Sequence, residues 1–123
     1  MFEEKKFGGA PSKADVIPHP LITMSDGTKI ENYFSTHDRP AQHVNEVLKK
    51  ANKSIHFLAF SFTHDEMGQI MLDKTKTGVD VQGVFEKSQS SNDHSEYNRM
   101  KKAGLKVYQD GNSRNMHHKV IVI

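Results

Sequence analysis

The 123-residue sequence has no cysteine, no tryptophan, four prolines and, among 17 basic residues, only three arginines: Arg39, Arg99 and Arg114. Without cysteine there is no disulfide scaffold, zinc ribbon, iron–sulfur cluster or thiol nucleophile, and the redox compartment leaves no trace. No apolar run approaches the ~20 residues that a membrane-spanning helix needs. The N-terminal MFEEKKFGGAPSK lacks the apolar stretch of a signal peptide. The compartment therefore stays open, cytoplasmic or, if an upstream segment carries a signal, secreted. Charge of one sign is scarce too. Lys+Arg number 17 against 15 Asp+Glu, a net charge of +2, so any phosphate binding must be local.

What remains is polar, 35% hydrophobic and 26% charged, but seven Phe and several Val/Ile/Leu clusters suffice for one modest core. Residues 1–28 contain Gly8, Gly9, Pro11, Pro18, Pro20 and Gly27 and read as a linker or lead-in, leaving 29–123 as the domain. Ser25-Asp26-Gly27-Thr28 reads as a turn, and Lys29 to Phe34 as a short first strand. Asp38 is placed to cap a helix that Pro40 can open, with Val44, Val47, Leu48 and Ala51 on one face. Ser54 to Phe62 is apolar at both alternating positions, as a central strand covered on both sides would be. Thr63-His64-Asp65-Glu66 has the form of a capping box, before a helix with Met67, Ile70 and Met71 inward and Gly78 at its end.

Val79 to Phe85 is a third strand, with Glu86-Lys87-Ser88 a solvated loop behind it. Asp93-His94-Ser95-Glu96 opens a helix with Tyr97, Met100 and Ala103 on one face, closed by Gly104. Leu105 to Tyr108 is a fourth strand and Met116 to Ile123 a fifth. Strands alternating with helices predict a layered α/β/α fold with a largely parallel or mixed sheet. A natural domain seldom stops inside a β-branched run such as Val120-Ile121-Val122-Ile123, so the chain reads as a C-terminally incomplete piece.

The chemistry concentrates in Ser113-Arg114-Asn115-Met116-His117-His118-Lys119. Two apart on a strand, His117 and Lys119 share a face, while His118 takes the other. An imidazole beside an ammonium suits a phosphodiester: the ring nitrogen attacks phosphorus and the lysine holds a non-bridging oxygen. Ser113, Arg114 and Asn115 add donors suited to phosphate. A bare His-x-Lys is also what the wet start of an edge strand looks like.

His117-x-Lys119 followed by four apolar residues resembles the His-x-Lys-x4-Asp motif of the phospholipase D superfamily. Upstream, the second strand (Ser54 to Thr63), Gly78-Val79-Asp80-Val81 leading into the third, and Ala103-Gly104-Leu105-Lys106-Val107 leading into the fourth match the family's half-domain in style and order. The resemblance covers roughly residues 29–123 and implies a metal-independent, cofactor-free phosphodiesterase. In it His117 forms a phosphohistidine and Lys119 holds the phosphoryl oxygens. It further implies a second motif, in the same chain or in a homodimer partner, that protonates the leaving group. The motif's Asp would follow Ile123, so activity is expected of the complete protein and not of this piece. A phospholipid is favoured over nucleic acid as substrate, because the net charge is mild.

Other readings stay beside it. Eight histidines raise the question of metal, but no pair four residues apart on a helix has a carboxylate partner, so no metal site is expected. His37-Asp38 and His64-Asp65 sit at strand-to-helix junctions, where capping accounts for the aspartates. Such junctions face the ligand crevice of a parallel sheet, which makes His64 a candidate substrate-binding residue. Lys49, Lys50, Lys53, Lys101, Lys102 and Lys106 would serve a non-catalytic nucleic-acid-binding module, although helix ends already explain them. A structural half-domain that only dimerises is the third reading.

Overall fold

The computed structural model describes residues 20–35 and 38–123, so Gly8, Gly9, Pro11, Pro18 and His37 lie outside the described residues. The chain divides into two compact units, 1–43 and 44–123. In the first, β1 (Leu21–Thr23) and β2 (Lys29–Glu31) pair antiparallel, with Ile22 opposite Ile30. The stretch expected as a lead-in therefore contains a strand. The strand expected at 29–34 is shorter and belongs to a hairpin. Its cause is the turn: Gly27 takes φ 86°, Asp26 Oδ1 accepts from the Thr28 amide at 2.9 Å, and the Met24 amide donates to the Thr28 carbonyl at 2.7 Å.

The second unit carries one mixed sheet of order β5-β4-β3-β6. Strands β3 (Ser54–Ala59), β4 (Asp80–Phe85) and β5 (Lys106–Gln109) run parallel, and β6 (Lys119–Val122) runs antiparallel beside β3. Between them lie α2 (Asp65–Lys76), the short α3 (Lys87–Ser90) and α4 (Glu96–Lys102); α1 (Pro40–Lys50) precedes β3. The mixed α/β class and mixed sheet agree with the sequence reading. The second helical layer does not appear among the described residues. Ile55, Phe57, Ala59, Val81, Phe85 and Val107 are buried against Leu48, Met71 and Met100, whereas Leu58, Tyr108, Val120 and Val122 on the other face are exposed. Topology explains this. The crossovers β3-α2-β4 and β4-α4-β5 step the same way along the sheet, and right-handed crossovers then set both helices on one face. A strand apolar on both faces thus has only one of them covered here.

Local departures have similar causes. The cap of α2 is His64, not Thr63: its Nδ1 accepts from the Met67 amide at 3.3 Å. The loop expected at Glu86-Lys87-Ser88 is the start of α3, because the Glu86 carboxylate accepts from the Gln89 amide at 2.8 Å and Ser88 Oγ at 2.7 Å. These bonds also hold that carboxyl below its ordinary pKa, Ser88 contributing most. Val47 is 47% exposed, while Asn45 turns inward beside Leu48. Ala103 is an exposed C-cap. Gly78 (φ 88°) and Gly104 (φ 83°) end α2 and α4 as expected, since each needs the left-handed region. No described helix is long and apolar enough to cross a membrane.

Candidate active site

Because β6 is antiparallel, its first residues lie at the carboxyl end of the parallel strands. The register sets Lys119 opposite Ala59, Ala59 opposite Phe85, and Phe85 opposite Gln109. One further bond, from the Phe60 amide to the His118 carbonyl at 2.8 Å, extends the ladder past the strand ends. The edge expected at Met116 is therefore at Lys119, with His117 and His118 just ahead of it. Carboxyl ends of parallel strands are where open α/β sheets bind ligands.

There the structure brings His117 and Lys119 together. Lys119 Nζ stands 3.2 Å from His117 Nε2, 3.3 Å from Nδ1, and donates to the His117 carbonyl at 3.2 Å. Both side chains are exposed, so the pair meets solvent and has donor capacity left. Against them lies Phe60, which in the sequence is only one apolar residue of the stretch Ser54 to Phe62. Its ring centroid is 4.5 Å from that of His117, and Lys119 Nζ sits 5.0 Å from it. The signal was position: Phe60 is the residue that follows β3, opposite the motif.

Ser113, Arg114 and Asn115 are exposed in the loop leading into β6, where the Arg114 amide donates to Asn112 Oδ1 at 3.4 Å. His64 is exposed at the same end, with Nδ1 used in its cap. Among the described residues no group of three or more His, Asp, Glu or Cys could hold a metal ion.

Two polar clusters flank the two ends of the sheet. Glu96 is buried, accepts from Arg99 Nε at 2.7 Å, and Arg99 Nη2 donates to the Asp65 carbonyl at 2.9 Å. With the Glu96 amide on the Phe62 carbonyl at 3.0 Å, this ties α4 to the turn between β3 and α2. Burial pushes the Glu96 carboxyl above its ordinary range, against the pull of Arg99. At the opposite end of the sheet, Asp80 accepts from Lys106 at 3.0 Å and Gln82 at 2.7 Å and lies 3.3 Å from His56 Nε2. Those bonds, Lys106 first, bring its pKa down to about 2. A shallow depression of about 280 Å³ lies on the bare sheet face between Leu58, Val84, Tyr108, Val120 and Val122, away from the His117–Lys119 pair.

An α/β unit with a His-x-Lys pair at the carboxyl end of a mixed sheet defines the class, and the comparisons agree. The domain family described as the PLD-like domain of cardiolipin synthase matches residues 44–123. The chain belongs to the phospholipase D superfamily. It is 27% identical over 78 residues to a mitochondrial cardiolipin hydrolase of Chlamydomonas reinhardtii, covering 63% of this chain and 35% of that protein. Among solved structures it resembles Nuc, a phospholipase D family member from Salmonella typhimurium, with a TM-score of 0.64 and 27% identity over 68% of this chain and 56% of Nuc. NucT from Helicobacter pylori, at 18% identity and a TM-score of 0.57 over 68% of this chain and 58% of that one, shares the fold. The chain thus spans about a third of the curated relative's length and just over half of each solved chain.

Proposed function

We propose that the chain is the motif-bearing half-domain of a phospholipase D-type phosphodiesterase, with His117 as nucleophile and Lys119 as ligand of the phosphoryl oxygens. The contact of Lys119 Nζ with the His117 ring carries this reading. A neutral imidazole nitrogen attacks phosphorus, and the bond from phosphorus to the leaving oxygen breaks as the phosphohistidine forms. The leaving oxygen takes a proton from the histidine of a second motif, in the same polypeptide or in a homodimer partner. Water or an alcohol then cleaves the phosphorus–nitrogen bond. Lys119 donates to the non-bridging oxygens throughout, and losing one such donor costs about 10²–10³ in rate. Ser113, Arg114 and Asn115 add donors from the loop, and His64 lines the rim. This sequence of steps uses no cofactor.

A phospholipid is the substrate this reading favours. Cardiolipin appears in the description of both the matching family and the curated relative, and the net charge is only +2. Bis-(p-nitrophenyl) phosphate is the first test, because nitrophenolate leaves with little help from an acid and the missing second motif matters least. The chain should release at most one nitrophenolate per molecule and carry a phosphoryl adduct on His117. Folded protein whose His117 stays unmodified overturns the reading, and sustained turnover by the chain alone overturns the need for a second motif. With the complete protein, cleavage of cardiolipin vesicles supports the lipid assignment. Cleavage of DNA alone, or salt-sensitive DNA binding without cleavage, replaces it with the nuclease or the binding module.

A further inference from the structure

We propose that Phe60 is a positioning residue of this site, its ring holding the Lys119 ammonium against His117; the proposal rests on the phosphodiesterase reading above. Lysine has large rotamer freedom on a flexible stem, so an exposed lysine two residues from a histidine has no intrinsic reason to lie on its ring. Here it does, at 3.2–3.3 Å from both ring nitrogens; it also donates to the His117 carbonyl at 3.2 Å and stands over the Phe60 ring, 5.0 Å from its centroid. That separation is within the range at which an aromatic face attracts a cation. The same ring stands 4.5 Å from the imidazole, tilted by 55°, so one half-buried side chain backs both members of the pair.

Backbone fixes the ring in turn. The Phe60 amide is bonded to the His118 carbonyl, between the two motif residues, and the Glu86 amide to the carbonyl of Ala59, the residue before Phe60. The attraction of a ring face is not directional in the way a hydrogen bond is, so the ring holds the ammonium without using an N–H donor, and those beyond the one given to the His117 carbonyl can turn to phosphoryl oxygens. The consequence is a lysine already ordered before a diester arrives, which lowers the cost of ordering it on binding.

The test compares Phe60→Leu, which keeps an apolar side chain but removes the ring, with Phe60→Tyr, which keeps the ring. Two readouts are taken on the chain itself. One is the proton shift of the Lys119 ε-methylene by NMR, which a ring current moves upfield. The other is the rate at which phosphoramidate phosphorylates His117, the imidazole displacing ammonia from phosphorus, with His118 and His94 as internal controls. Phe60→Leu should return the methylene shift towards its random-coil value and slow labelling of His117 by about two- to fivefold, the worth of an exposed cation–π contact, leaving His118 and His94 unchanged. Phe60→Tyr should keep both wild-type values. An unmoved methylene overturns the contact, and a moved methylene with unchanged labelling overturns the positioning role. Equal slowing at all three histidines does so as well. If Phe60→Leu does not fold, the wild-type methylene shift decides alone, a random-coil value being fatal. A wild-type His117 labelled no faster than His118 counts against the phosphodiesterase reading, while the methylene shift still decides whether Phe60 holds Lys119.

Discussion

Adding one methyl group at Gly83 should loosen the whole sheet, because the Phe57 ring already fills the space. Gly83 sits in the middle of β4, directly opposite Phe57 on β3, and both face the helices. A Cβ there would fall on Phe57 Cζ, Cε1 and Cε2, far inside contact distance. The ring cannot easily withdraw. It is 4% exposed and stands edge-on to Phe62 at 5.7 Å and to Phe85 at 5.3 Å. Overpacking of a close-packed core costs about 1–3 kcal/mol. Alanine returns about 0.5–1 kcal/mol by restricting the unfolded chain. Because the ring is confined, the upper part of that cost applies, about 2–3 kcal/mol, and the net for Gly83→Ala is a loss of about 1–2.5 kcal/mol, or roughly 4–20 °C in Tm for a unit of this size.

Thermal unfolding followed by circular dichroism reads the loss directly. In Gly83→Ala/Phe57→Leu the aliphatic chain vacates the ring's space, so the double variant should lose less than the sum of the singles, by about 1 kcal/mol of coupling. A Gly83→Ala protein as stable as wild type, or more so, would refute the packing argument, since glycine would then be only a weak strand residue. Phe57 also pairs in register with Ile121, so the same displacement reaches β6, the strand that carries Lys119.

Arg99→Met leaves the Glu96 carboxylate buried without its partner and should cost about 2–3 kcal/mol at pH 7, under the figure for a fully buried pair because Arg99 is 39% exposed. Burial already raises the Glu96 pKa above its unfolded value, so this loss should shrink as the pH falls and the group takes up a proton; a pH-independent loss would contradict it. Asp80 moves the opposite way, with a folded pKa of about 2 against an ordinary 3.8, so its stabilisation is complete above that ordinary value and disappears as the pH falls towards 2. Asp80→Asn should accordingly flatten the acid limb of the stability profile, and an unchanged limb would show the network to be inert. In the complete protein His117→Ala should abolish turnover with the fold intact, whereas His118→Leu should leave activity close to wild type; equal loss in both would mean that the assumed faces are exchanged.

Much of the fold was legible because its signals are local. Glycines at 78 and 104 stop helices wherever they sit, since only a left-handed residue closes those turns. The spacing of Met67, Ile70 and Met71 needs no knowledge of the rest of the chain to mark an inward face. What escaped depends on partners distant in sequence. Whether Leu58 is covered is decided by crossover handedness, and its own strand cannot report it. His64 in place of Thr63 as the cap is a one-residue choice between two groups able to accept the same amide. Glu96 and Arg99 are visible as a pair three apart on a helix, but not their grip on the Asp65 carbonyl, which needs the turn after β3 to pass close by.

The candidate site shows where these two kinds of information meet. Spacing says that His117 and Lys119 share a side and His118 does not, but it leaves the choice of side open. The register makes the choice: Ile121 stands opposite Phe57 on the buried face, and Val120 and Val122 stand opposite Leu58 and His56 on the bare one. A slip of one residue would turn Ile121 out to water and bring Val120 and Val122 in, and would exchange the two histidines at the same time. Because two valines would replace one isoleucine, apolar burial alone does not forbid the slip. The Phe60–His118 backbone bond extends the β3–β6 ladder in the register that presents His117 with Lys119, and the Phe60 ring packs against His117. The face that His117 takes is therefore tied to pairing with a residue just past the end of β3, some sixty positions away in the chain.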